Sequence, residues 1–170
     1  MSHYTGFVVS VGDRLDEPWM PDEETYTDHV QCDYCSKEDI ELDELAKQFI
    51  NVIACYEVDG EQPKYEIVDK AVLVTIPKGF ARKMADTDLK AVKNTIGKAT
   101  TDDLIKWTNG LHDAYKILDF CNPFSTIVVC LEDGGYEDYD TFTRFIWELV
   151  PDNDKADTRV WIYGSMDHHI

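Results

Sequence analysis

The sequence predicts one compact α/β (or α+β) domain spanning residues 1–170, a mixed β-sheet flanked by helices with a C-terminal βαβ unit. Three observations carry this expectation. Ala71–Ile76 and residues 125–131 are short, continuous apolar runs, the pattern of strands covered on both faces. Apolar residues between 42 and 53, and again between 104 and 118, recur at helical spacing. Residues 125–131, 139–150 and 158–164 then follow in strand–helix–strand order, which would make a right-handed crossover. At 170 residues and 44% hydrophobic, the chain has the length of one domain and the material for a core.

Each element has a local reason. Residues 4–11 (YTGFVVSV) are β-branched and aromatic and read as the first strand. Residues 12–35, rich in Gly, Pro and acids, read as a long acidic loop. Ser36-Lys-Glu-Asp resembles a helix-capping start, and Leu42, Leu45, Ala46, Phe49, Ile50 and Ile53 form the stripe behind it. Residues 55–69 read as a hairpin turning at 59–63, which would set Tyr56 and Val58 near Tyr65 and Ile67. Pro77 stops the apolar strand before it. Two short helices are expected at 79–85 and 88–96, closed by Gly97. Thr100-Thr-Asp-Asp caps a helix whose stripe is Leu104, Trp107, Leu111, Ala114, Tyr115 and Leu118. Gly134-Gly135 turns the chain, Phe142, Phe145, Ile146 and Leu149 form a last helical face, and residues 158–163 are the last strand.

The charge is the feature that bears on function. Asp and Glu number 34 against 16 Lys and Arg, for a formal net charge of -18. Such a field repels phosphate backbones and anionic lipid, which argues against direct nucleic-acid or membrane binding. The excess is uneven: residues 1–69 carry -14, residues 70–120 carry +3, and residues 121–170 carry -7. No basic start with an apolar stretch opens the chain, and no apolar run approaches a membrane span. Five cysteines, an odd count, read as thiols in a reducing cytoplasm rather than as a disulfide framework.

Three acidic clusters stand out. Asp13, Asp16, Glu17, Asp22, Glu23, Glu24 and Asp28 lie in the long loop. Glu38, Asp39, Glu41, Asp43 and Glu44 lie at the start of the first helix, where the helix dipole accounts for some of them. Glu132, Asp133, Glu137, Asp138 and Asp140 surround the diglycine turn. Trp19, Tyr136 and Tyr139 are interleaved with the first and third clusters, and flat amphipathic rings favour protein interfaces. The expected contact surface is therefore Asp16, Glu17, Trp19, Asp22, Glu23 and Glu24 together with Glu132, Asp133, Tyr136, Glu137, Asp138, Tyr139 and Asp140. Lys78, Arg82, Lys83, Lys90, Lys93 and Lys98 supply a basic face that can meet the acidic flanks within the chain or in a homodimer.

Catalytic motifs are sparse. His29, Cys32 and Cys35 have the spacing of zinc ligands, with His168, His169 or a carboxylate as candidate fourth ligand, but a second C-x₂-C half is absent. The stretch from Asp152 opens like a calcium loop, yet its sixth position is Asp157 and its twelfth is Tyr163, so an EF-hand is rejected. Gly97-Lys98 lacks the earlier glycine and the following hydroxyl of a phosphate loop. In size and charge alone, the chain resembles small acidic inhibitors of nucleic-acid-handling enzymes: phage anti-restriction and anti-CRISPR proteins and the immunity proteins of nuclease toxins. The resemblance implies a non-enzymatic inhibitor that mimics nucleic acid and binds a basic nucleic-acid-binding protein or nuclease, without a cofactor. Two alternatives stay open. One is a zinc-binding domain or metal-dependent enzyme centred on His29, Cys32 and Cys35; the other is an oligomeric structural protein whose acidity serves solubility.

Overall fold

The β-branched run at the start forms β1 (His3–Val11), an inner strand of a seven-stranded mixed sheet. This is seen in a computed structural model that describes residues 3–18, 34–37, 40–54, 60–112, 114–115, 125–139 and 142–169. The other strands are β2 (Tyr34–Lys37), β3 (Lys64–Val68), β4 (Ala71–Ile76), β5 (Ser125–Cys130), β6 (Tyr136–Tyr139) and β7 (Thr158–His169). Their order is β3-β4-β7-β1-β5-β6, with β2 paired to the far end of β7. Among the described strands the β1–β5 pair is parallel and the other pairs are antiparallel. The α/β class and mixed sheet are as the sequence predicts.

The described helices are α1 (Leu42–Ala54), α2 (Phe80–Lys98), α3 (Thr101–Lys106), α4 (Phe142–Glu148) and α5 (Val150–Asn153). Helices α1, α2 and α4 bury their stripes on one face of the sheet. There Phe49 meets Phe7 and Phe142 edge-to-face, at centroid distances of 5.2 and 5.0 Å. The opposite face carries two smaller apolar clusters. Val8, Val128, Cys130 and Met166 pack with Leu15 and Tyr136, while Ala71, Leu73 and Trp161 pack with Val68 and Tyr163. No described helix is long and apolar enough to cross a membrane.

Several local expectations are corrected. The C-terminal strand–helix–strand unit is present, but its first strand is β6 rather than β5: β7 is antiparallel to β5 and parallel to β6, with α4 and α5 in between. The cause is β6: the diglycine turn folds Tyr136–Tyr139 back on β5, and this extra reversal flips the direction of β7. The helix expected at 139–150 accordingly shortens to α4, and Pro151 sits in the first turn of α5, where a missing N–H is harmless. Residues 64–68 pair with β4. Asp69, at φ 54, makes the tight link, and residues 55–59 lie outside those described.

The two short helices are one, α2. Phe80, Met84, Asp88 and Val92 lie four residues apart along its buried side, and Gly97 is inside it with Ala99 as the C-cap. Thr100 caps α3 as expected, but the long stripe breaks after Lys106. Trp107 and Asn109 take φ 52 and 54, and helix resumes only at 111. Ser36, Tyr34 and Cys35 are strand rather than helix start or loop, and His168 and His169 lie in β7 rather than at a frayed end. Leu118 lies outside the described residues.

Candidate acidic cleft

Parallel strands β1 and β5 end side by side, and the chain must leave both ends over the same edge of the sheet. In α/β proteins that carboxyl edge is where ligands are held. Here it forms a cleft of about 320 Å³. Its apolar lining includes Leu15 from the loop after β1, Val129 and Cys130 from β5, and Phe145 and Leu149 from the α4 side. Four carboxylates line it as well: Asp13, Glu132, Glu137 and Glu148. All four are exposed.

A hydrogen-bond chain fixes the β1 side of the cleft. Ser10 is buried and its hydroxyl donates to the Asp13 carbonyl at 3.0 Å. The Leu15 N–H donates to the Tyr163 hydroxyl at 2.8 Å, which leaves the Tyr163 O–H to donate to Ser10 Oγ at 2.7 Å. The Gly12 N–H reaches the Arg159 carbonyl at 2.8 Å, and Trp161 Nε1 donates to the Gly12 carbonyl at 3.2 Å. Arg14 lies over the Trp161 ring and pairs with Asp69 at 2.8 Å.

The other wall is the β5–β6 hairpin. Leu131 and Gly135 close its loop, and Gly134 takes φ 85, a conformation that favours glycine. Asp133 accepts the Gly135 N–H at 2.9 Å, so this acid shapes the turn instead of facing the cleft. Register pairs Glu137 with Val129 and Tyr139 with Ile127, on the helix side of the sheet. Tyr139 stacks edge-to-face on Phe145 at 5.7 Å, and its hydroxyl lies 3.3 Å from Glu137 Oε2. Burial, with the Glu137 charge beside it, raises the Tyr139 hydroxyl above its ordinary pKa.

The structure thus divides the expected contact surface. Glu132, Glu137 and Tyr139 come together in the cleft, and Asp13, also from the first acidic cluster, joins them. Tyr136 packs on the opposite face with Leu15, while Asp16 and Glu17 are exposed beyond the cleft wall. Asp138 is strand by backbone, paired with Val128. Trp19, Asp22, Glu23, Glu24 and Asp140 lie outside the described residues. Glu148 was missed by sequence reasoning. The signal was there: it neighbours Phe145 and Leu149 on the helical face that the apolar spacing defines.

Among the described residues, no three His, Cys, Asp or Glu side chains are grouped to hold a metal ion. The cleft carboxylates are therefore spread around an apolar floor rather than focused on one point. Of the zinc candidates, His29 and Cys32 lie outside the described residues, and Cys35 pairs by backbone register with His168. Comparisons with protein-family models, curated proteins and solved structures return no match.

Proposed function

We propose that the protein is a non-enzymatic acidic binding protein that docks on the basic groove of a nucleic-acid-binding protein or nuclease and excludes the nucleic acid. One observation supports this reading above the rest. Acids from the start and the end of the chain, Asp13 and Glu132, Glu137 and Glu148, share one apolar-floored cleft. Carboxylates spread around one cleft offer a basic partner several charges at once. An apolar floor under a carboxylate rim suits arginine and lysine, whose stems are apolar and whose tips are charged. On this reading the protein acts in the cytoplasm with its thiols reduced, after the manner of anti-restriction, anti-CRISPR or immunity proteins.

The test is capture followed by competition. The immobilised protein, incubated with a panel of nucleases and DNA-binding proteins, should retain a basic one and release it to added duplex DNA or to raised salt. Retention that is indifferent to both would overturn the reading.

A second reading, a zinc site, is favoured by one register. Cα partners in an antiparallel pair lie about 5 Å apart, and β2 makes Cys35 the partner of His168. Cys32 and His29 would complete the ligand set. Metal analysis of protein purified without chelator tests this reading, which a zinc stoichiometry well below one would end.

A further inference from the structure

The ends of β1 and β7 farthest from the cleft bring together residues that neither the cleft nor the Cys35 register uses. The two strands shift register between Val8 and Val9, and from Val8 they pair without a break to His3 opposite His169. Cross-strand partners share a face of the sheet, and successive residues alternate between faces. Phe7 belongs to the core on the helix side, so Thr5 and His3 share that face. Ser165 is the partner of Phe7, which places Asp167 and His169 on the same face again. Met166 packs on the opposite face, and His168 shares that face with its partner Cys35. The two adjacent histidines therefore belong to different faces.

Along the helix side the row changes character. Phe7, Val9, Val160 and Ile162 are core, whereas Thr5, His3, Asp167 and His169 continue the same face with no apolar residue. Strand β7 is an inner strand here, with β1 on one side and β2 on the other. An inner strand seldom places an aspartate and a histidine on its core-bearing face without a use for them. On β2, Tyr34 is the partner of His169 and Ser36 that of Asp167, which extends the polar row. Residues directly opposite in an antiparallel pair have Cβ atoms about 5 Å apart, and diagonal neighbours about 7–8 Å. His3 is opposite His169 and diagonal to Asp167. The lack of a grouped ligand set noted above concerns side chains elsewhere in the chain; these strand ends enter by backbone register.

We infer that His3, Asp167 and His169 form a site for a divalent first-row metal ion such as zinc, on the face of the sheet opposite Cys35. Imidazole suits zinc and its first-row neighbours, whereas calcium and magnesium take oxygen ligands. Two histidines and one carboxylate make three protein ligands, and zinc held by three keeps its fourth position for water or another small ligand. Such a site is open, unlike the closed four-ligand sites that only brace a fold. It uses no residue of the acidic cleft and stands or falls apart from it.

Calorimetric titration of the chelator-treated full chain with zinc chloride tests the inference in a Cys35→Ser background, where a cysteine site is disabled. One equivalent of zinc should still bind. Adding His3→Gln or His169→Gln should weaken binding by about tenfold or more, since loss of even an outer-shell partner costs about 10–100-fold. Adding His168→Gln should leave it unchanged. Imidazole nitrogen-15 resonances of wild type, followed during the same titration, give a readout that needs no variant to fold: those of His3 and His169 should shift. A Cys35→Ser chain that binds no zinc would overturn the inference, and so would zinc binding that His168→Gln weakens as much as His169→Gln does. Wild-type resonances of His3 and His169 that stay in place would overturn it too, as would displacement of the zinc by an equal concentration of calcium, which would mark it as an ion of the acidic surface.

Discussion

Tyr163 is the extra residue of a β-bulge, and its hydroxyl lies 2.7 Å from Ser10 Oγ. Val9 pairs with Ile162 and Val8 with Gly164, so β7 spends one residue more than β1 at this point. A bulge bends its strand and re-aims a side chain. Here the re-aimed phenol reaches the loop after β1 and holds Leu15 by its N–H. One irregularity in the sheet therefore sets a wall of the acidic cleft.

Tyr163→Phe should separate this role from packing, because the ring stays and only the hydroxyl goes. The Leu15 N–H then loses its acceptor and Ser10 Oγ its donor. A stability loss of about 1–2 kcal/mol is expected in urea unfolding. Hydrogen exchange at the Leu15 amide should speed up by about tenfold or more, and affinity for a basic peptide should fall. Unchanged exchange at Leu15 would show that the loop is held by other contacts.

Charge reversal tests the cleft against the general acidity of the surface. Glu137→Lys with Glu148→Lys should weaken binding of a lysine-rich peptide about tenfold, taking each rim charge at roughly 0.5–1 kcal/mol. Glu41→Lys with Glu66→Lys makes the same change in net charge at exposed positions outside the cleft. Equal losses from the two pairs would mean that net charge alone attracts the peptide. Isothermal titration at two salt concentrations reads both affinity and its salt slope.

Asn153 offers a test of the frame. It is fully buried, its Oδ1 accepts the Ala81 N–H at 3.0 Å, and its Nδ2 lies 3.1–3.2 Å from the Ile76 and Pro77 carbonyls and Thr158 Oγ1. One side chain thereby ties the end of β4, the start of α2 and the start of β7. Asn153→Ala should destabilise by about 3 kcal/mol, because several buried polar groups lose their partner together. Circular dichroism during thermal melting gives the shift directly; a melting point within a degree of wild type would refute the tie.

The same residues show what a sequence discloses. Ala71–Ile76 and residues 125–130 were legible because an unbroken apolar run has few places to go but a covered sheet. Asn153 carries no such mark, since nothing local distinguishes an amide that fastens three distant elements. Trp107 was placed in a buried stripe because helical spacing assumes an uninterrupted helix. Asp103 breaks that helix by gathering Thr108 and Asn109, and the apolar side chains are left in solvent. Each acidic cluster was visible, but their meeting depended on the parallel pairing of β1 with β5, a contact across more than a hundred residues.

Asp88 supplies a pH dependence of definite sign. It is only 6% exposed on the buried side of α2, and Trp147 Nε1 on α4 donates to its Oδ2 at 3.1 Å. Burial pushes its carboxyl up to about 6, against the opposing pull of the Trp147 hydrogen bond. An unfolded aspartate titrates near 3.9, so between about pH 4 and 6 the folded chain holds a proton that the unfolded chain has released. Stability from this group is therefore fully present at pH 4, declines as pH rises through 6, and is flat above. At about 1.4 kcal/mol per unit over roughly two units, the swing is about 2–3 kcal/mol. Asn at this position keeps an acceptor for Trp147 and carries no charge. Asp88→Asn should consequently be more stable than wild type at pH 7.5 by about 2 kcal/mol, with the advantage shrinking toward zero by pH 4. Urea unfolding of both proteins from pH 4 to 8 measures the difference, and a gap that does not change with pH would show that Asp88 is ionised in the folded chain throughout.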